Sequence, residues 1–150
     1  MSLQNNGTSV TIVVAEDDEG HARLIEKNLR RAGINNEIKW CENGKITLDY
    51  IQGTGNPDAD ANTSNVLLLL DLNMPVLDGH QVLERLKAND QTRKIPVIVL
   101  TTTNDAQEIK RCYEMGCNIY ITKPVEYEAF SNAIRQLGLF LNVVSIPNGV

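Results

Sequence analysis

The chain has only three cysteines in 150 residues, Cys41, Cys112 and Cys117. Their spacing supplies neither a metal-type pair nor an even disulfide framework, so a reducing compartment and buried packing thiols are expected. No apolar stretch approaches the ~18 residues of a membrane span, and residues 1–9 are polar, without the apolar core of a signal peptide. A cytoplasmic location follows, with no membrane as partner. There is no Lys/Arg-rich run, and the formal charge is −5 from 19 acidic and 14 basic residues, which argues against DNA or RNA as a direct partner. The chain also lacks an internal repeat, a low-complexity tract and a linker to a second domain. At this length one domain is the simplest reading, burying about 70% of its unfolded surface without covalent staples.

What is present is alternation. Short apolar runs alternate with segments of helical period, the pattern of strand-helix units wound on a parallel sheet. Strands are predicted over residues 10–15, 37–41, 66–71, 96–101 and 119–122. The third and fourth, Val66-Leu67-Leu68-Leu69-Leu70 and Val97-Ile98-Val99-Leu100, show no polar alternation, as suits central strands covered on both faces. Helical spacing links Ala22, Ile25, Leu29 and Ala32, then less regularly Ile46, Leu48 and Ile51, then Val82, Leu83 and Leu86. A fourth helix carries Ala106, Ile109, Cys112 and Tyr113, and a fifth Tyr127, Phe130, Ile134, Leu137 and Leu141. Gly33 and Gly116 stand where left-handed caps end the first and fourth helices, and Asp105 and Glu108 favour the start of the fourth. Residues 53–65 read as a polar surface loop, whose Asp58 and Asp60 lack the spacing and late glutamate of a calcium loop. The expected layout is a flexible N-terminus (1–9), one domain (10–141) and a tail (142–150). Val143-Val144 and Ile146-Pro147 in that tail need cover, from their own domain or from a second chain.

Three strands end in ionisable residues: Glu16-Asp17-Asp18 follow the first, Asp71 closes the third, and Lys123-Pro124 follow the fifth. Carboxyl ends of parallel strands line the ligand crevice of a doubly wound sheet, so acid, acid and base converge there. Carboxylates so gathered repel by roughly 4 kcal/mol per close pair at an effective dielectric of 20. A divalent cation removes that penalty, and a phosphoryl group suits the same site.

These residues resemble the receiver domain of bacterial two-component response regulators, over nearly the whole chain. The carriers are Glu16-Asp17 after Ile12-Val13-Val14-Ala15, Asp71-Leu72-Asn73-Met74-Pro75 with Asp78-Gly79, Thr101 after Val97-Ile98-Val99-Leu100, and Tyr120 with Lys123-Pro124. Each piece is weak alone; together in this order, around the ends of four strands, they are specific. The resemblance implies an α/β, flavodoxin-like fold: a doubly wound five-stranded parallel sheet in the order 2-1-3-4-5, with helices on both faces. It implies Mg2+ held by Asp17, Asp71 and the Asn73 backbone carbonyl, with Glu16 acting directly or through water. Many members carry aspartate where Glu16 stands, and the extra methylene is expected to move that carboxylate outward.

The resemblance further implies that Asp71 accepts a phosphoryl group from a sensor histidine kinase, assisted by Lys123 and the Thr101 hydroxyl, with Thr101 and Tyr120 reporting the state. Lys123-Pro124 is cis in the family, and Asn73 and Thr103 occupy positions that tune phosphoryl lifetime. The polar loop, the Asp71-Leu72-Asn73 form and the tail resemble the small regulators that serve bacterial and cyanobacterial phytochromes. The face made by the fourth helix, fifth strand and fifth helix is expected to carry the readout, with the tail in a homodimer. The chain is then no enzyme beyond its own Mg-dependent phosphorylation and dephosphorylation. Two other readings stand beside it. An aspartyl phosphotransferase or phosphatase would need a second acid where Asn73 lies, and an amide cannot protonate a leaving group. A phosphorylation-independent interaction module would have no use for the Asp17, Asp71, Thr101 and Lys123 set. A nucleotide-binding flavodoxin-like domain is disfavoured because no glycine-rich phosphate loop follows the first strand.

Overall fold

The apolar runs form one five-stranded parallel sheet in the computed structural model, which describes residues 4–5, 8–53 and 65–142. Its strands are β1 (Thr11–Ala15), β2 (Ile38–Cys41), β3 (Val66–Leu70), β4 (Val97–Thr101) and β5 (Ile119–Thr122). They lie in the order β2-β1-β3-β4-β5, as expected. Between and after them run α1 (Glu19–Arg31), α2 (Gly44–Gln52), α3 (Gly79–Ala88), α4 (Ala106–Glu114) and α5 (Tyr127–Leu141). A further antiparallel pairing joins Gln4–Asn5 to Thr8–Ser9 inside the stretch anticipated as flexible. Residues 54–64 of the polar loop, with Asp58 and Asp60, and residues 143–150 of the tail lie outside the described residues.

The unbroken leucine run of β3 is explained by the two-residue period of a strand. Leu68 and Leu70 face one core with Leu48, Ile51, Val82, Leu83, Leu86 and Cys112. Leu67 and Leu69 face the other with Ile25, Leu29, Phe130, Ile134 and Leu137. Each such side chain contributes about 1.5–3 kcal/mol on burial, so β3 ties the two helical layers together and its carboxyl end is held from both sides.

Polar side chains cap the starts of α1, α2 and α3. Asp18 accepts from the His21 N–H at 3.0 Å, and Asn43 accepts from the Ile46 N–H at 2.8 Å. Asp78 and Gln81 cap α3 reciprocally. Gly33 and Gly116 take φ of 96° and 107°, the left-handed values predicted for them. Two aromatic residues depart from the predicted apolar stripes: Tyr113 and Tyr127 face solvent. Tyr127 opens α5, one turn before the helix meets its core at Phe130, while the Tyr113 hydroxyl accepts from the Tyr120 N–H at 3.0 Å. That bond serves a backbone donor of the edge strand β5. No peptide bond among the described residues is cis, so Lys123-Pro124 is trans, against the form the resemblance implied.

Candidate functional site

The parallel register sets the site. Asp71 follows β3 at once, and its N–H donates to the Ala15 carbonyl at 3.0 Å, so it stands beside the end of β1, where Glu16 and Asp17 begin. Lys123 follows β5, and its N–H donates to the Thr101 carbonyl at 2.6 Å, bringing it back over the end of β4. Gly79, the first residue of α3, donates to the Leu72 carbonyl at 3.0 Å. A Cβ there would fall 2.4 Å from the Asp71 carbonyl oxygen, so only glycine lets α3 start this close to the strand end.

Glu16, Asp17 and Asp71 present carboxylate oxygens that lie within 4.8 Å of one another. Asp17 faces solvent, whereas Glu16 and Asp71 are 2% and 6% exposed. Lys123 sits under this trio. Its ammonium donates to Asp71 Oδ2 at 3.2 Å and to Glu16 Oε1 in a still shorter contact. Glu16 therefore does not reach outward as its extra methylene suggested. The Lys123 ammonium draws it in, and the Asp18 N–H donates to Glu16 Oε2 at 3.2 Å. Burial pushes the Glu16 carboxyl up to about 7; the Lys123 bond and charge pull it down, and the Asp71 charge raises it again. One ammonium against this group of acids leaves the pocket short of positive charge. Hard oxygen donors, two buried and one open to water, fit a divalent cation that keeps part of its hydration shell.

The other expected residues take places around this centre. The Asn73 N–H donates to Asp71 Oδ1 at 3.1 Å, fixing the carboxylate from the loop side. The Asn73 side-chain amide donates to Thr101 Oγ1 at 3.3 Å, so the buried Thr101 hydroxyl is tied to the same loop. Tyr120 is half-buried, and its phenol donates to the Thr103 carbonyl at 2.5 Å. Burial, with the neighbouring charges of Cys112 and Glu108, raises that phenol to about 12, so it stays a donor.

Two participants were missed from sequence. His21 brings Nδ1 within 3.2 Å of Lys123 Nζ and sets its ring edge-on to Phe130, with centroids 5.3 Å apart. Its position three residues after the Asp18 cap was the available signal, because the first turn of α1 must overhang the strand ends. The Trp40 indole donates to the Glu16 carbonyl at 2.6 Å from the neighbouring β2, a long-range contact with no local signal.

Comparison with known proteins agrees with this geometry. The family model described as "Response regulator receiver domain" matches residues 12–135. The chain is 30% identical to the response regulator Rcp1 of Synechocystis over 148 residues, covering 98% of this chain and 99% of Rcp1. The manganese-bound structure of Rcp1 superposes with a TM-score of 0.82, over 92% of this chain and 99% of that one. A response regulator receiver domain from Rhodospirillum rubrum is 55% identical, with a TM-score of 0.85 over 92% of this chain and 97% of its own. The phosphorylated cyanobacterial phytochrome response regulator RcpA is 28% identical, with a TM-score of 0.77 over 88% of this chain and 93% of its own. With strand order, acidic pocket and buried lysine in agreement, the chain belongs to the response regulator receiver domain family.

Proposed function

We propose that Asp71 is the phosphoacceptor of a two-component response regulator and that a partner sensor histidine kinase is the donor. The observation that carries this reading is the Asp71 carboxylate at a strand end, shared between the Lys123 ammonium at 3.2 Å and the acidic trio. In the reaction an Asp71 oxygen attacks the phosphorus in line; the new O–P bond forms as the P–N bond to the kinase imidazole breaks. The imidazole leaves with the electron pair of the broken bond, and Asp71 becomes an acyl phosphate. Asp17, Asp71 and the Asn73 carbonyl, with Glu16 beside them, would hold Mg2+, which would neutralise charge on the phosphoryl oxygens. Lys123 is placed to exchange its Asp71 contact for a phosphoryl oxygen. Thr101 releases its bond from the Asn73 amide and donates to another, so the hydroxyl that moves lies on the path to Tyr120 and Thr103.

The likeness to RcpA, a phosphorylated cyanobacterial phytochrome response regulator, supports the reaction and a phytochrome-type kinase as input. A homodimer through α4, β5 and α5 is the proposed output form, consistent with the exposed Tyr113 on α4 and Phe140 on α5. The test is intact-mass measurement after incubation with Mg2+ and acetyl phosphate. Wild type gains one phosphoryl group, chelation abolishes the gain, and Asp71→Asn shows none. An equal adduct on Asp71→Asn overturns the assignment.

A further inference from the structure

A second metal-ligating cluster lies apart from the acidic pocket and shares no residue with it. We propose that His80, Glu108 and Cys112 form a transition-metal site, suited to Zn2+, that fastens α4 to α3. The three offer a ring nitrogen, a carboxylate oxygen and a sulfur that all lie within 4.8 Å of one another. A tetrahedral ion with bonds of ~2.0–2.3 Å spaces its ligands by roughly 3.3–3.8 Å, so the widest separation must close by up to about an ångström while His80 Nε2 and Glu108 Oε1, now in direct contact, must part to admit the ion. Glu108 and Cys112 are four residues apart on α4 and so share one face, and His80 approaches from the first turn of α3. The mixed nitrogen, oxygen and sulfur set matches a borderline-soft ion and not the hard cation of the acidic pocket.

The surroundings are also those of a metal site. His80 Nε2 already points at Glu108 Oε1, while Nδ1 lies 3.9 Å from Asp78 Oδ1, too far for a hydrogen bond but close enough for the carboxylate charge to favour a proton on that nitrogen. Cys112 is fully buried, whereas the His80 and Glu108 side chains are 22% and 24% exposed. The sulfur is shielded from bulk solvent, and the open side admits an ion and a water as fourth ligand. Binding through the thiolate sends the Cys112 proton to solvent; the imidazole binds neutral through Nε2 and keeps its Nδ1 proton toward Asp78. The bland alternative is a His80–Glu108 hydrogen bond over a packed thiol, which predicts no metal at all.

This inference is independent of phosphorylation at Asp71, and its test needs no activity. Cobalt(II) is titrated into the full chain with Mg2+ in large excess, and absorption is followed for the thiolate-to-cobalt charge-transfer band and the intense visible bands of four-coordinate cobalt. Expected is one equivalent bound with both signatures, displaced by Zn2+. Cys112→Ser should lose the charge-transfer band, and His80→Gln should bind at least about tenfold more weakly. Asp78→Asn keeps a helix-capping side chain but alters the group behind the imidazole, and should weaken binding by about 10–100-fold. Circular dichroism checks each fold; if Cys112→Ser does not fold, the partly exposed His80 position carries the test alone. Cobalt binding without a sulfur band, a band that survives Cys112→Ser, or affinity unchanged in His80→Gln overturns the proposal.

Discussion

Glu16 is the carboxyl on which the electrostatics of the acidic pocket turn. Its ordinary value is 4.5, and burial carries it to about 7 in the folded chain. Between those values the folded state holds a proton that the unfolded state has released, so its contribution to stability is full below 4.5 and is lost as pH rises to about 7. Urea unfolding of chelator-treated protein across that window should show stability falling with pH, and Glu16→Gln should flatten the slope. A slope unchanged in the variant would assign it to other groups. Gly79 acts through shape instead. Any Cβ there meets the Asp71 carbonyl oxygen at 2.4 Å and Leu72 Cα at 2.6 Å, both backbone atoms that yield only if the strand end moves. Gly79→Ala should therefore cost at least the ~1–3 kcal/mol of ordinary overpacking and slow phosphorylation as well, read by urea unfolding and by adduct formation with acetyl phosphate.

Among the helices, α3 and α4 differ in how firmly they are held. Helix α3 buries Val82, Leu83 and Leu86 and begins in a reciprocal cap, whereas α4 buries Cys112 alone. Helix α4 depends on polar ties instead, the Glu108 contact with His80 and the Tyr113 hydroxyl bond to β5. That makes it the element best suited to move in the proposed switch at Thr101. Asp78→Ala should cost about 1 kcal/mol through loss of the cap, and Asp78→Asn much less, measured as a shift in urea midpoint at constant slope. Such differences bound what the sequence reveals. The leucine run of β3, the strand-end acids and the two capping glycines were legible because each obeys a local rule. Trp40 and the inward turn of Glu16 were not, and His21 was legible only through its place after the Asp18 cap, since each depends on a partner 24 to 107 residues away. Tyr113 and Tyr127 misled for a related reason: helical period places them on an apolar stripe, but only the packing of neighbouring helices decides where that stripe ends.

At the scale of the whole molecule, an acidic chain gathers Glu16, Asp17 and Asp71 at one edge of the sheet and supplies the buried Lys123 ammonium there. Lys123 and a divalent cation then serve overlapping ends, because both neutralise Glu16 and Asp71. A cation that binds only the folded chain stabilises it by about 2.7 kcal/mol at a concentration one hundred times its dissociation constant. Removing Lys123 leaves two buried carboxylates without their partner, a loss on the order of 3–5 kcal/mol for a broken buried pair. Lys123→Met should accordingly be the less stable protein in chelator and should gain more from Mg2+ than wild type gains, as the ion takes over the missing charge. Asp17→Asn should instead show a smaller gain, since it replaces the solvent-facing carboxylate with a neutral amide and leaves the buried ion pair intact. Calorimetry of the three proteins with and without Mg2+ reads both effects. If Lys123→Met gained no more than wild type, the ammonium and the cation would be acting on separate charges, and the shared electrostatic role given to them here would be wrong.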